Sequence, residues 1–213
     1  MRKEINENQE LSNDLCEFIG ALIGDGYTNR GVIVGICGHN ELDKSYFKYL
    51  NRNAKSLFGL DGSLIKKKNK NANDMRFYSK NLYDMLTNRF EFPKKRKTEN
   101  IKIPGEIMNS DESLIFSTIR GIFDTDGCIF FDRRRAYSKP YPRITLQIVS
   151  VPLINQLVKI LGKYFVVSNR NYPGRNAYYL EIYGHEQFEK WMNLIGFSNE
   201  RHLNRIEKAL GEI

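Results

Sequence analysis

FIGALIGDGY, residues 18–27, is an apolar run that ends on an aspartate and a glycine before a tyrosine. Residues 118–129, TIRGIFDTDGCI, have the same build, and Asp126 stands in them where Asp25 stands in the first stretch. The apolar runs predict two helices, each of which ends on a carboxylate. Because the two acids lie 101 positions apart in matching contexts, the chain is predicted to contain an internal repeat.

Each predicted helix also carries a face of small residues. Gly20 and Gly24 lie four positions apart, and Gly121 and Thr125 take the same places in the second copy. A glycine inside a helix costs about 1 kcal/mol relative to alanine, so its presence there requires a packing reason. Small residues at this spacing let two helix backbones approach closely. The two helices are therefore predicted to pack against each other, with their C-terminal ends side by side.

The two acids stand at an unfavourable place. The C-terminus of a helix is its negative pole, where a carboxylate costs about 0.3–1 kcal/mol, and two acids brought together there repel each other. A divalent cation relieves both problems, and oxygen ligands suit Mg²⁺. An Asp-Gly pair is also a common turn signal at the start of a hairpin, so one copy alone would not decide between the two interpretations. The recurrence of the acid and of the small-residue face favours a metal site formed by Asp25 and Asp126.

The segments that follow the two acids repeat as well. Each copy continues with two strand-like runs, an amphipathic helix, two further strand-like runs and a short helix. The pattern predicts an α/β (α+β) fold of two pseudo-symmetric αββαββα halves, packed through the two acid-tipped helices and each with an antiparallel sheet. We expect the first half at 11–92 and the second at 110–213. A linker at 93–109, which holds two prolines and a charge run, is expected to join them.

The charge of the chain indicates a polyanionic partner. The formal net charge is +8, and basic residues cluster at 66–68, 94–97 and 133–135. A single basic run is more often a solvated loop, but three such runs weaken that interpretation. No apolar stretch approaches the roughly 20 residues of a membrane helix, and three scattered cysteines indicate reduced thiols. These features predict an intracellular protein, in the cytoplasm, the nucleoid or an organelle, without a membrane partner.

Residues 18–26 and 119–127 resemble the LAGLIDADG motif of homing endonucleases along its full length. The order of strands and helices around both copies is similar to the family's repeat, so the resemblance covers nearly the whole chain. It indicates the single-chain form, in which one polypeptide supplies both halves and acts as a monomer. Ile23 departs from the motif, since the family usually has an aspartate there. The acids that the family uses for catalysis fall on Asp25 and Asp126.

The resemblance also implies an activity. In the family the two acids hold divalent metal at the two scissile phosphates of a long, specific duplex DNA site, and both strands are hydrolysed to leave 3′ overhangs. The implied cofactor is Mg²⁺, with Mn²⁺ or Ca²⁺ able to occupy the same sites. Gly24 and Thr125, which precede the acids, are assigned to the metal site with them. Basic residues that order water in the family align with Arg96 or Lys97 in one half and with Arg201 in the other.

The strand-like runs are expected to read the DNA. In PRITLQIV, residues 142–149, apolar and polar residues alternate, so one face of the strand is predicted to be core and the other polar. Arginine and glutamine side chains suit base edges in the major groove of such a target. An ordinary exposed sheet is also polar, so the assignment holds for the set more than for each member. The residues predicted to line this DNA-binding saddle are Asn29, Arg30, His39, Lys66, Lys68, Arg76, Arg133, Arg135, Arg143, Thr145, Gln147, Asn169, Asn171, Arg175 and Tyr179.

Two other functions stay open on the same fold. An RNA maturase, which helps its host intron to fold, needs a basic surface without cleavage, and its partner is intron RNA. A DNA-binding regulator of this fold would have lost the acids, whereas both acids are retained here. We therefore expect endonuclease activity, which a second role in binding RNA would not contradict.

Overall fold

The computed structural model describes residues 5, 8–94, 99–137, 139–172, 174 and 177–211. The first half contains α1 (Asn13–Asp25), β1 (Gly26–Asn29), β2 (Ile33–His39), α2 (Lys44–Phe58), β3 (Ser63–Lys66), β4 (Ala72–Tyr78) and α3 (Lys80–Asp84). A π-helical turn, Met85–Arg89, continues α3, and a short helix, α4 (Gly105–Met108), precedes the second half. The second half contains α5 (Glu112–Thr125), β5 (Gly127–Asp132), β6 (Tyr141–Ile148), α6 (Val151–Leu161), β7 (Ser168–Tyr172), β8 (Ala177–Tyr183), α7 (His185–Leu194) and α8 (Glu200–Leu210).

Each half builds one four-stranded antiparallel sheet. The strand order is β1-β2-β4-β3 in the first sheet and β5-β6-β8-β7 in the second, so the two halves have the same topology. The predicted α/β fold of two αββαββα halves is thereby confirmed. Two helices are additions to the repeat: α4 lies within the segment expected to be a linker, and α8 follows the last helix of the second repeat.

The two acid-tipped helices, α1 and α5, pack along each other in the middle of the molecule. A methyl group at Gly20 would lie 2.1 Å from the carbonyl oxygen of Thr118, and one at Gly121 would lie 2.2 Å from that of Glu17. At the ends of the helices, Gly24 faces the hydroxyl of Thr125 just as tightly. No larger residue fits at Gly20 or Gly121 without moving a backbone, or at Gly24 without moving the Thr125 side chain, which confirms the packing role predicted for the small-residue faces.

The sheets cover the helix pair with one face each. In β2, Val34 and Ile36 are buried, and in β6 the same is true of Ile144 and Leu146. The residues between them point to the other side, because side chains alternate along a strand. The alternation predicted for 142–149 is therefore present, and the polar positions of both sheets are turned away from the helices.

The segment that follows each half packs against the other half. The segment that follows the first half runs beside α6, where the hydroxyl of Ser150 donates to the carbonyl oxygen of Ile101 at 2.6 Å. The segment that follows the second half runs beside α2, where the side-chain amide of Asn199 donates to Asp43 at 2.9 Å. Each half is thus held by the tail of the other, in addition to the seam between α1 and α5.

All three cysteines are free thiols, with Cys16 buried and the other two partly exposed. Within the described residues, no helix combines the length and the apolar character that crossing a bilayer would require.

Candidate metal centre and nucleic-acid interface

Asp25 and Asp126 line one cavity of about 420 Å³. Asp25 is the last residue of α1, and Asp126 caps the C-terminus of α5, where its backbone N–H bonds to Ile122 at 3.0 Å. The close approach of the two helices brings their tips together, so acids from the two halves meet at the same opening. Gly24 and Gln147 line this cavity as well.

Arg201 lies at the tip of α5. One of its terminal nitrogens, Nη2, donates to the carbonyl oxygens of Asp124 and Thr125, both at 3.1 Å. These carbonyls belong to the last turn of the helix, so the guanidinium places positive charge on the negative pole that carries Asp126. The other terminal nitrogen pairs with buried Asp43 at 3.2 Å. Arg201 thus positions the backbone beside Asp126, and Thr125, which is assigned to the metal site, accepts one of its hydrogen bonds through the backbone carbonyl.

Asp124 anchors the chain as it enters α8. Its carboxylate is fully buried and accepts the backbone N–H groups of Ser198 at 3.0 Å and Asn199 at 3.1 Å. Burial raises the pKa of Asp124 to about 8, although the two backbone donors act in the opposite direction. In the first half Ile23 holds the corresponding position and lines the acid cavity together with Ile101 of the crossing segment. An apolar pair therefore stands where the second half has a polar anchor, which explains why the motif departs from its pattern at Ile23.

The donor set of the acid cavity fits a magnesium ion. Within the described residues, no group of three or more His, Cys, Asp or Glu side chains could hold a metal, so a metal in this cavity would have Asp25 and Asp126 as its acidic side chains. Mg²⁺ sites are commonly of this kind, with one or two carboxylates and with water and substrate phosphate as the remaining ligands. Zn²⁺, by contrast, takes three or four protein side chains.

The face of each sheet turned away from α1 and α5 is here named the open face. On the open face of the first sheet, the buried carboxylate of Asp74 accepts a hydrogen bond from the Tyr27 hydroxyl and another from Nε of Arg76, both at 2.8 Å. Burial and the contact with Asp74 raise the pKa of Tyr27 to about 12, so its hydroxyl stays protonated. Asp74 thus holds Arg76 in one orientation, towards a surface cavity of about 480 Å³ that Asn29 and Arg30 also line.

The second sheet orients an arginine in the same way. On its open face, Arg143 donates to Glu181 at 2.7 Å and lies 3.3 Å from the carboxylate of Asp132. Glu181 is 5% exposed, so this ion pair is largely shielded from water. Each open face therefore presents one arginine whose guanidinium is fixed by a buried acid.

Three further predicted residues lie on the open face of the second sheet. Gln147 is exposed, pairs with Tyr179 across the strands and also lines the acid cavity, so it links this sheet to the acids. Thr145 is 6% exposed, and its hydroxyl donates to the carbonyl oxygen of Cys128 at 3.4 Å. The structure thus brings Gln147 and Tyr179 to the surface and keeps Thr145 below it.

In the first sheet, the register places a different lysine on the open face from those predicted. Lys66 pairs with Asn73, which belongs to the helix-facing set, and Lys68 lies in the exposed turn that follows β3. Lys67 is the residue on the open face, where its ammonium lies 2.8 Å from the sulfur of Cys37. A run of three lysines carries no sign of which member points outward, because a shift of one residue reverses every side chain.

The same correction applies to β7. Asn169 pairs with Leu180, a core residue, so it points towards the helices, and Asn171 belongs to the same set. Arg170 lies on the open face instead, opposite Tyr179.

The remaining predicted residues lie at the end of a sheet, in a loop or outside the described residues. His39 caps a turn, because its Nδ1 accepts the backbone N–H groups of Glu41 and Leu42 at 3.2 Å each. Arg133 and Arg135 lie in the exposed loop after β5. The predicted residues Arg96, Lys97 and Arg175 lie outside the described part of the chain.

Sequence reasoning missed the acids that orient the arginines. Asp74 alternates with the buried residues Met75 and Phe77, so the two-residue period of β4 placed it on the same face as Arg76. That signal was available in the sequence. The docking of Arg201 on α5 has no local signal, because the two segments are distant along the chain.

A family model described as a LAGLIDADG-like domain matches residues 113–196, from the start of α5 to just after α7. Among solved structures, the fold is similar to that of I-DmoI in complex with DNA and Mn. That match has a TM-score of 0.61 at 17% identity and covers 89% of this chain and 99% of that one. Full-length DUF199/WhiA from Thermatoga maritima is also similar, with a TM-score of 0.60 at 16% identity over 97% of this chain and 63% of that one.

Among curated proteins, the chain is 26% identical to the probable translation initiation factor IF-2 of Methanocaldococcus jannaschii over 193 residues, which is 89% of this chain. It spans only 16% of that protein, and 8–18% of the length of the curated relatives it matches. Their names denote activities as different as those of an initiation factor and an aminotransferase. The similarity is therefore to a shared segment and gives no ground for assigning those activities here.

The molecule is thus a protein of two pseudo-symmetric halves whose paired helices deliver one acid each to a shared cavity. Residues 113–196 match the model of a LAGLIDADG-like domain, and the chain as a whole has the fold of I-DmoI, with one motif helix in each half. The resemblance noted in the motifs is confirmed. I-DmoI is a homing endonuclease, but the fold also occurs in DUF199/WhiA, so the fold by itself does not assign cleavage.

Proposed function

We propose that this chain is a site-specific endonuclease that binds a long duplex DNA target and hydrolyses both strands with divalent metal, leaving 3′ overhangs. The observation that carries the proposal is the meeting of Asp25 and Asp126 in one cavity, because two acids at adjacent negative poles are unfavourable unless a cation lies between them. The two-fold repeat supplies one acid for each strand, so a single copy of the chain would cut as a monomer.

The open faces support binding of duplex DNA. Arg76 and Arg143 are held by buried acids and would present fixed guanidinium groups, which are the side chains best suited to guanine edges. Gln147 reaches both the second sheet and the acid cavity, where it would contact DNA nearest to the cleaved bonds. The similar protein I-DmoI has been crystallised with DNA in the presence of Mn, Ca or Mg, which agrees with a divalent metal at the acids.

Different residues of the chain would have different roles in hydrolysis. A bound divalent ion would neutralise charge on the scissile phosphate and lower the pKa of an attacking water. Asp25 and Asp126 would hold that ion, together with the residues that precede them, Gly24 and Thr125. Arg201 would fix the backbone before Asp126 through its two carbonyl contacts.

Cleavage can be tested with a plasmid library that carries random inserts, incubated with the protein and Mg²⁺, by sequencing the cut ends. We expect Asp25→Asn and Asp126→Asn each to lower double-strand cleavage by more than about 100-fold, since even changes behind the metal ligands cost about 10–100-fold. DNA binding should be retained by both variants. Asp61→Asn is the matched control, because Asp61 is an exposed acid paired with Lys55 outside the cavity. Normal cleavage by the Asp25→Asn/Asp126→Asn double variant would refute the assignment.

Two further measurements, of duplex binding and of intron splicing, separate the two alternatives. A protein that binds one duplex sequence tightly but leaves it intact with Mg²⁺ would be a DNA-binding regulator. A maturase would assist splicing of an intron, and that assistance would survive both Asp→Asn substitutions.

A further inference from the structure

A groove of about 620 Å³ runs between α2 and α8, outside both sheets. Basic side chains outnumber acidic ones along it, since its charged lining consists of Lys44, Lys48, Arg201, Arg205, Lys208, Glu41 and Glu200. The groove therefore has a net positive charge and is open to solvent along its length.

The basic residues of α8 form one stripe. Arg201, Arg205 and Lys208 are four and three positions apart, so they share a face of the helix, and Lys44 and Lys48 share a face of α2 across the groove. Among the residues that the structure describes, Lys44, Lys48 and Lys208 form no ion pair, so their charges are available to a ligand. The stripe is about 10 Å long at about 1.5 Å of rise per residue. This length corresponds to about three base steps along the axis of duplex DNA, at about 3.4 Å each.

The groove begins beside the two acids. Arg201 bonds to the carbonyl of Thr125, the residue before Asp126. The next basic residue of the stripe, Arg205, lies 3.2 Å from the sulfur of Cys128, which is on the open face two residues after Asp126. A backbone that passes over Asp126 and the open face of the second sheet can therefore reach the basic residues of α8.

In the described part of the other half, the structure places no such stripe at the equivalent position. There the crossing segment lies against α6, with the N–H and carbonyl groups of Ile103 bonded to the side chain of Gln156 at 2.8 and 3.0 Å. Ile101 and Ile103 are both buried in this contact region. Among residues 99–137 and 139–172, the contact between the crossing segment and α6 is therefore apolar and amide-mediated, in contrast to the basic groove between α2 and α8.

We propose that the α2–α8 groove binds the phosphate backbone of duplex DNA on one flank of the acid pair, as a contact surface additional to the two sheets. The inference rests on the DNA binding proposed above, but not on cleavage. It predicts that the groove contributes sequence-independent affinity, because lysine contacts with phosphate carry no base information.

The test is the salt dependence of binding to a random-sequence duplex, measured by fluorescence anisotropy in EDTA between about 50 and 200 mM salt, so that cleavage plays no part. Lys48→Ala/Lys208→Ala should lower the slope of log K against log salt by about 1.8, since each phosphate contact contributes about 0.9. The control is Lys159→Ala/Lys163→Ala, which removes the same charge from exposed lysines that line neither the groove nor the acid cavity. It should leave the slope within about 0.3 of that of the wild type.

A second measurement uses the unmodified protein. Acetylation of Lys44, Lys48 and Lys208 by a small acylating reagent should slow several-fold when the duplex is bound, whereas Lys159 and Lys163 should react at an unchanged rate. Any one of three results would overturn the inference. They are an unchanged slope in the Lys48→Ala/Lys208→Ala variant, an equal fall in the slope of the control variant, and groove lysines that bound DNA does not protect from acetylation. If the wild type itself fails to bind duplex DNA, both the proposed function and the role of the groove are refuted. If the wild type binds but the groove substitutions have no effect, only the role of the groove is refuted.

Discussion

The tight seam between α1 and α5 makes Gly20→Ala the most informative single substitution. The added methyl group would lie 2.1 Å from the carbonyl oxygen of Thr118, whereas ordinary contacts of this kind begin at 3.4 Å. The helices would therefore have to separate locally by about 1 Å. Such overpacking costs about 1–3 kcal/mol, of which the better helix propensity of alanine returns up to about 1 kcal/mol. We expect a net loss of about 1–2 kcal/mol in the free energy of unfolding.

The effect on the acids should exceed the effect on stability. Separating the helices by about 1 Å also moves Asp25 and Asp126 apart, and a misplacement of that size can lower a rate by about 100-fold. Stability can be followed by urea unfolding with the fluorescence of Trp191, the single tryptophan of the chain, which is buried. Cleavage with Mg²⁺ is measured on the same preparations.

Gly105→Ala is the matched control for this substitution. A methyl group at Gly105 would meet no atom within 4 Å, so the same chemical change there should alter stability by less than about 0.5 kcal/mol. If Gly20→Ala and Gly105→Ala are equally stable and cut equally fast, the seam does not position the acids and the reasoning fails.

Two buried ionisable groups give further predictions. Because burial raises the pKa of Asp124 to about 8 in the folded protein, the stability that its protonated form contributes is present at low pH and is lost as the pH rises through 8. Between pH 6.5 and 8, the wild type should lose roughly 1.5 kcal/mol more than Asp124→Asn, as measured by urea unfolding. Burial lowers the pKa of His202 to about 3, so below pH 6.5 this residue makes the protein less stable as the pH falls, which opposes the effect of Asp124. If the wild type lost stability with rising pH more steeply below pH 6.5 than above it, this account would be contradicted. Arg120→Met should cost about 3 kcal/mol, because it leaves the 2% exposed carboxylate of Glu17 without its partner at 3.1 Å. Adding Glu17→Gln should recover part of that loss, and a double variant less stable than Arg120→Met would refute the pairing.

The elements with a local signal were predicted correctly. Ser12 caps α1 by accepting the N–H of Leu15 at 3.2 Å, as its place before an apolar run indicates. The order of helices and strands repeats because the pattern of apolar residues repeats. Lys66 and Asn169 were assigned to the wrong face, since their runs of polar residues lack the apolar alternation that reveals which side is buried.

The sequence by itself determined that two glycine-faced helices would each carry an acid at the tip, because the spacing of small residues and the end of an apolar run are local properties. Only the tertiary structure decided what surrounds those acids. Arg201 reaches the end of α5, and Asp43 binds the start of α8, through contacts between segments that are far apart in the chain. Such contacts depend on how the segment after each half packs against the other half. The register that turns Lys67 towards the open face depends on the pairing of β3 with β4. These features depend on the packing of the whole fold, so no single stretch of residues determines them.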